Sequence, residues 1–495
     1  MFKVFIQKLS IDIIFKSLLF IIAIFIGGYS IKVLGLQQLG IIQAIQAAFV
    51  FFQCMIGINI FNNAIINFTA EKQQRGPSTD ISSIINTCNA IIICYTSLFC
   101  LIAGALSCFG WLKEYFAESI FFILLVGLIQ MLNGLAMIYQ SFATGLGKLV
   151  TVGVLDGIFS MANSLMVFVA LVFWGNIWVY LCSQGVISLL RVIFYSGFCS
   201  KKYHYHMNAS LSWKLLKTMP LFCRSAYIGS LTQLFNCCAD TIFVGITGGF
   251  SAVPIYTMSQ NILFGIHSLV CNTAGNVFPL LSGRGELAIV TLRNIRYKLF
   301  WGISRMSLLL YSFAAIFVPV AMSKLVNHDF GRDLRFFMFF AGLMGLGMMF
   351  AAYASTPLLV LKKVRTVAIG DWITTIGVFL LTLLLGYFFA AAGVVIARTF
   401  FVISGIYYLY RLNLFLGVSQ RKLFEIVPVL VEYALFGALS IFVLNINSEI
   451  IIQSAIGLTI FAVMHLGLLI IQLYSKDGTE IRSLFSLFYN TIKNK

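Results

Sequence analysis

Charge is what this sequence has least of. Only 10% of its 495 residues are Asp, Glu, Lys or Arg, against 60% hydrophobic and 15% aromatic, whereas charged residues make up about a quarter of an ordinary soluble domain. A chain so short of charge cannot cover a water-facing surface, which excludes the soluble globular class, and no stretch is polar enough to form a separate soluble domain. Cysteines in a metal-binding or disulfide pattern are missing too. The eleven run from Cys54 to Cys271 without a CxxC pair, mostly inside apolar runs where a thiol is a small hydrophobe. A nucleotide-binding motif is absent: Gly145-Leu146-Gly147-Lys148 lacks the spacing and hydroxyl of a phosphate loop, and Asp329-Phe330-Gly331 lacks the catalytic-loop partner a kinase needs. Neither a cofactor nor direct use of ATP is expected. The N-terminal Lys3, Lys8 and Lys16 precede an apolar run with no small-residue cleavage site, so this run reads as an uncleaved first span.

What is present is one apolar run after another, each near the roughly 20 residues that a bilayer-crossing helix requires. The runs predict an all-α polytopic membrane protein with about fourteen transmembrane helices, at 12–34, 40–68, 83–107, 119–140, 150–173, 178–199, 219–246, 253–280, 299–321, 335–360, 367–390, 393–415, 428–445 and 450–474. The residues around Ala391 to Gly393 decide whether 367–415 is one helix or two. With both termini cytoplasmic, external segments hold only Lys32, Lys113, Lys324, Arg332 and Arg335, five basic residues lie within spans, and 23 of the 33 fall inside. That bias is the positive-inside rule, and it accounts for the net charge of +17 without nucleic acid. The longest external loop is expected at Met322 to Arg335. Leu287 to Leu299 and the tail around Ile481, Leu484, Phe485 and Phe488 read as interfacial helices lying on the cytoplasmic surface.

Polar residues inside spans carry the functional signal, because an unsatisfied polar group in hydrocarbon costs several kcal/mol and such groups face other helices or a wet cavity. The second span carries Gln43, Gln46, Gln53, Asn59, Asn62, Asn63 and Asn67; the seventh places Gln233, Asn236 and Asp240 on one face; the eighth places Asn261, Ser268, Asn272 and Asn276 on one stripe. Interhelical hydrogen bonding is the plainer role for these amides. The telling ionisable residues are Arg224, Arg305, Arg398, Asp156 and Asp240. Arg224, Arg305 and Asp156, each near a cytoplasmic end, could simply snorkel to the interface. Arg398 and Asp240 lie toward the external side, where they could pair with each other or face a cavity.

The opening Lys32-Val-Leu-Gly35-Leu-Gln-Gln-Leu-Gly40 resembles the first hairpin of the polysaccharide transport family, within the superfamily that also holds multidrug and toxin extruders and lipid II flippases. Asp240-Thr-Ile-Phe-Val-Gly245 through Gly248-Gly249 to Tyr256 is similar to the same family's entry into its second lobe. Gly147-Lys148, Pro279 with Ser282, and Lys362-Lys363 match after the fourth, eighth and tenth spans. The resemblance implies two six-helix lobes around a central cavity plus a C-terminal helix pair, here 1–200, 201–420 and 421–495. It is most like the Wzx-type O-antigen flippases, which move an undecaprenyl-pyrophosphate-linked oligosaccharide from the cytoplasmic to the periplasmic leaflet of the inner membrane. It also implies membrane lipids, the O-antigen polymerase and the chain-length regulator as partners, and no enzymatic activity.

For such a cargo the barrier is the pyrophosphate and the sugar hydroxyls, since burying an isolated ion in hydrocarbon costs on the order of tens of kcal/mol. Arg224, Arg305 and Arg398 are the expected escorts of the anion, because guanidinium binds phosphate bidentately and stays charged. Asn236, Asn272 and Asn276 are expected to accept sugar hydroxyls. Moving negative charge outward across an inside-negative membrane is downhill by about 2.3 kcal/mol per charge per 100 mV. Proton or sodium coupling, through Asp156 or Asp240, would then serve to reset the empty carrier. The rivals are a cation-coupled multidrug antiporter, for which carboxylates rather than arginines should dominate the spans, and a membrane-embedded glycosyl transferase, which needs paired carboxylates or a large external loop.

Overall fold

The structure, a computed structural model, describes residues 21–56, 65–66, 69, 80–107, 119–203, 212, 239–275, 286–361, 363–445, 459 and 463. Among these residues there is helix and no strand, as expected where lipid cannot satisfy backbone groups and each segment must pair its own. The chain divides into two compact units, Met1–Thr257 and Met258–Lys495.

The first unit contains α1 (Ile21–Leu34), α2 (Leu36–Ile56), α3 (Asp80–Ser107), α4 (Ser119–Gly145), α5 (Leu149–Trp174), α6 (Ile177–Tyr203), α7 (Asp240–Gly248) and the first turns of α8 (Ala252–Gly275). Two tight turns determine how the middle of this unit is arranged. Gly147, at φ +75°, reverses the chain between α4 and α5, and left-handed Gly175 caps α5 while the Asn176 side chain accepts from Trp178 N at 2.9 Å to start α6. Short connections make neighbours antiparallel, so α5 runs against both α4 and α6, and α4 is parallel to α6. Ile42, Phe49, Phe99, Val126 and Leu181 make one buried cluster; Ile85, Ile92, Tyr139, Phe142 and Tyr195 make a second.

The two sequence patterns of the resemblance meet in this unit. Gly35 (φ +81°) turns α1 into α2, and a Cβ on Gly40 would collide with the Phe250 carbonyl that follows Gly248-Gly249. One turn further along, Thr257 Oγ1 donates to Gln43 Oε1 at 2.7 Å. The glycines therefore permit a backbone approach between α2 and the α7–α8 connection.

The second unit contains the rest of α8, α9 (Glu286–Leu325), α10 (His328–Val360), α11 (Val364–Ala397), α12 (Phe401–Leu416) and α13 (Ile426–Asn445). The expected ambiguity near Ala391 is resolved as two spans. The helical path breaks at Ala390 (φ 49°, ψ −137°), and the two helical arms of the resulting hairpin pack with a constant register: Tyr408 OH donates to Val367 O at 3.0 Å, Thr374 Oγ1 to Ser404 Oγ at 2.5 Å, and a Cβ on Gly393 would strike the Leu385 carbonyl. A Cβ on Gly347 of α10 would overlap the Phe401–Val402 backbone of α12, the small-residue contact that lets membrane helices pack without side chains between them.

Two expectations are corrected here. The segment Leu287 to Leu299 is not a separate interfacial helix but the first turns of the 40-residue α9, since neither Gly nor Pro interrupts the run into the span. The external loop expected from Met322 to Arg335 shrinks to the residues between Leu325 and His328. Asn327 caps α10 by accepting from Phe330 N at 2.8 Å, and Arg332 pairs on the exposed first turns with Asp329 at 3.4 Å and Asp333 at 3.6 Å. Every other expected span has at least part of a helix, except the last at 450–474, which, like the tail helix, lies outside the described residues apart from single positions.

Candidate functional site

A cavity of about 320 Å³ opens between α4, α5 and α6 of the first unit. Helix α4 contributes Ile129 and Asn133; α5 contributes Phe159, Ser160, Asn163 and Ser164; α6 contributes Gln184, Ile187, Ser188 and Arg191. The register explains why polar side chains converge. On α5, Asp156, Ser160 and Asn163 lie at offsets 0, 4 and 7, and on α6, Gln184, Ser188 and Arg191 repeat the same spacing, so each set forms one stripe. The antiparallel α5–α6 hairpin then faces the stripes toward each other.

The depth of the cavity follows from the span limits. The apolar spans run Phe121–Gly145, Thr151–Trp174 and Ile177–Cys199, and Asn133, Asn163 and Ser188 sit at or within one residue of their midpoints. Polar lining thus occurs where each helix is deepest in hydrocarbon, the level at which repeat-built transporters hold their substrates. Ser188 Oγ donates to Asn133 Oδ1 at 2.9 Å, and Gln46 of α2 donates to Gln184 at 3.3 Å. Gln53 of α2 reaches the Gln130 carbonyl of α4 at 3.4 Å. Of the second-span amides expected to bond between helices, Gln43, Gln46 and Gln53 all do so; Asn59, Asn62, Asn63 and Asn67 lie outside the described residues.

At one end of the cavity is a charged network. Arg191 Nη2 donates to Asp156 Oδ1 at 2.5 Å and to Gln140 Oε1 at 3.0 Å, Gln140 Nε2 donates to Asp156 Oδ2, and Tyr195 OH donates to Asp156 Oδ1 at 3.2 Å. The pair is open: the Arg191 and Asp156 side chains retain 24% and 28% exposure. Asp156 therefore does not snorkel; it meets a cation inside the helix bundle. Arg191 was not among the residues singled out from the sequence, although its 0, 4, 7 spacing with Gln184 and Ser188 was there to be read.

The other expected site residues are placed as follows. Asp240 is buried and accepts from Tyr256 OH at 3.0 Å, joining the two ends of the motif that carried the resemblance. Arg305 is also buried, and both of its terminal nitrogens donate to Glu432 of α13, Nη2 to Oε1 at 2.9 Å and Nη1 to Oε2. Arg398 is 1% exposed in the single 3₁₀ turn between α11 and α12, its guanidinium 5.8 Å from the Phe401 ring centroid. The structure thus brings Asp156 into the cavity network and ties Arg305 elsewhere. Asn272 is on α8, but its side chain, like Arg224, Asn236 and Asn276 entirely, lies outside the described residues. Two further carboxylates lie within apolar helices, Glu432 and Asp371, the latter accepting from Tyr408 OH at 2.5 Å.

No protein-family model matches the chain, and no curated protein matches it. Solved structures do. The lipid II flippase MurJ, in an inward closed conformation, aligns over 91% of this chain and 97% of its own with a TM-score of 0.59 and 12% identity. This chain has that fold. A Vibrio cholerae MATE transporter, VcmN, aligns over 83% of this chain and 97% of its own (TM-score 0.56, 13% identity). A multidrug resistance MATE family transporter of the MOP superfamily, in an outward-facing conformation, aligns over 84% and 96% (TM-score 0.52, 16% identity). The all-α polytopic class expected from composition holds among the described residues, which include eight helices long and apolar enough to cross a membrane.

Proposed function

We propose that this protein is a flippase that carries undecaprenyl-pyrophosphate-linked oligosaccharide units from the cytoplasmic to the periplasmic leaflet of the bacterial inner membrane. The observation that supports it best is the cavity at the midpoints of α4, α5 and α6. Its amides (Asn133, Asn163, Gln184) and hydroxyls (Ser160, Ser164, Ser188) both donate and accept, which suits sugar hydroxyls of varied orientation. Phe159 adds an apolar face, and Arg191 supplies a cation for a phosphate or an acidic sugar. At about 320 Å³ the cavity is near the lower end of small-molecule sites, roughly 300–1,000 Å³, so it would take one part of the head group at a time. The lipid tail can stay in the bilayer throughout.

In this reading Arg191 takes the place in the cavity that Arg305 was expected to fill, because Glu432 already neutralises Arg305. Arg224 and Arg398 remain candidate escorts of the anion, and Asn236, Asn272 and Asn276 candidate sugar contacts. The excess of Lys and Arg in alternate loops supports both termini in the cytoplasm, which puts the Asp156–Arg191 end of the cavity toward the cytoplasmic side. The O-antigen polymerase and chain-length regulator are the proteins with which a flippase of this kind would act.

A cation-coupled multidrug antiporter is the second reading, favoured by the MATE likeness and by Asp156 beside the cavity. A cationic side chain in the cavity wall disfavours an organic cation there. Cells lacking the protein, complemented with wild type, Arg191→Ala or Asn163→Leu, separate the two. Loss of surface O-antigen at equal protein level, with ethidium efflux unchanged, is the expected result; intact O-antigen with altered efflux would support the antiporter.

A further inference from the structure

Resting on the reading of this cavity as the cargo site, we propose that Asp156 is a built-in stand-in for the cargo's anion: it occupies Arg191 in the empty protein and is displaced when an oxyanion, phosphate or sugar carboxylate, enters. Three features carry the exchange. First, the existing pair uses only one nitrogen of Arg191, Nη2, for both Asp156 and Gln140. The Nε of Arg191 is buried with no hydrogen-bond partner, so once Asp156 leaves Nη2 the Nε and Nη2 protons form a planar edge for a bidentate acceptor, the geometry in which guanidinium binds carboxylate and phosphate best. Second, Arg191 lines the cavity, so an incoming anion reaches it without passing another charged side chain of the lining.

Third, Asp156 has somewhere to stay once Arg191 turns away. Gln140 Nε2 and Tyr195 OH both donate to it, so its release does not leave a carboxylate without donors, which is what makes breaking a buried pair costly elsewhere. The chemical consequence is a site that is electrically balanced when empty, where an unpaired guanidinium would be expensive to bury, and that becomes available only to an anion able to outcompete a carboxylate. A bidentate, multiply charged pyrophosphate does so better than a singly charged carboxylate, and a neutral sugar does not do so at all. Selection for charged cargo is thereby separated from the amide and hydroxyl contacts that hold the sugar.

The test uses the purified full chain in detergent or nanodiscs, with inorganic pyrophosphate and glucuronate as probes and calorimetry as readout. Asp156→Asn removes the competitor but keeps the shape, and is expected to tighten pyrophosphate binding by roughly tenfold, a typical coupling between linked sites. Arg191→Gln, alone or with Asp156→Asn, is expected to abolish binding. Gln140→Leu with Tyr195→Phe removes the resting place of Asp156 and is expected to weaken binding, a result that keeps the proposal testable if Asp156→Asn does not fold. Tightening for glucuronate alone would assign the subsite to an acidic sugar, and for pyrophosphate alone to the lipid diphosphate; both outcomes support the exchange. Unchanged or weaker binding of both probes by Asp156→Asn, or a gain that survives Arg191→Gln, overturns it. Neither readout needs transport, so a failed flippase assay alongside a tightened Asp156→Asn would reject the proposed function and leave the exchange standing.

Discussion

Among the described residues two arginine–carboxylate pairs lie inside spans, built to opposite specifications. Arg305–Glu432 joins α9 to α13 with two donors on two acceptors, and its side chains are 8% and 5% exposed. Arg191–Asp156 joins α6 to α5 through a single nitrogen, has side chains 24% and 28% exposed, and shares its members with Gln140 and Tyr195. A pair sealed on both sides fastens one helix to another. An open pair with alternative partners can exchange. The same pairing of guanidinium with carboxylate thus serves packing in one unit and, by our reading, cargo in the other, and what distinguishes the pairs is geometry and access, not charge.

Breaking the sealed pair should have the largest effect on stability. Glu432→Ala leaves Arg305 buried without its counter-charge, and removing one partner of such a pair costs about 3–5 kcal/mol. Loss of folded protein in detergent, read by thermal unfolding, is the expected outcome. The double substitution Arg305→Met with Glu432→Leu should restore most of that stability, since an apolar replacement of both partners is often neutral; continued unfolding of the double mutant would show that the pair does more than fasten α13.

Breaking the open pair should reverse the pattern. Arg191→Ala is expected to cost no more than about 1–2 kcal/mol of stability, since Asp156 keeps two donors, yet to reduce surface O-antigen by at least tenfold at equal protein level. A large stability loss without a specific functional defect would make the two pairs equivalent and remove the distinction. Between these lies the packing of α10 on α12. Gly347→Leu drives a side chain into the Phe401–Val402 backbone and is expected to cost about 1–3 kcal/mol by overpacking. The smallest effect belongs to Tyr408→Phe, which deletes one hydroxyl proton shared between Val367 O and Asp371; about 1 kcal/mol is expected from that one shared, buried hydrogen bond, visible as a lowered unfolding temperature.

Much of the fold was legible in the chain because a bilayer imposes one rule on every span. Run length located the helices, and the break at Ala390 fell within a few residues of where two spans were divided. What hydropathy could not show was continuity through polar segments: α9 runs unbroken across residues charged enough to suggest a surface helix, and the α9–α10 turn is short despite a polar stretch around it. The site was less legible for a different reason. A lone Arg in a span looks like a free cation until its partner is known, and the partner of Arg305 is 127 residues away. Conversely the partnership of Arg191 with Asp156, 35 residues earlier, is not legible in the sequence, because only the antiparallel hairpin at Gly175 brings the two stripes face to face. Local spacing told which side chains share a face; which faces meet is tertiary information.

One comparison in reconstituted vesicles tests most directly whether this cavity passes the cargo. Lipid-linked oligosaccharide placed in one leaflet is followed into the other for wild type, for Arg191→Gln, and for Arg305→Met with Glu432→Leu, each verified as folded by its unfolding temperature. Transport lost in Arg191→Gln and retained in the double mutant is the predicted result; transport retained in Arg191→Gln would contradict the assignment of this cavity as the passage for the cargo.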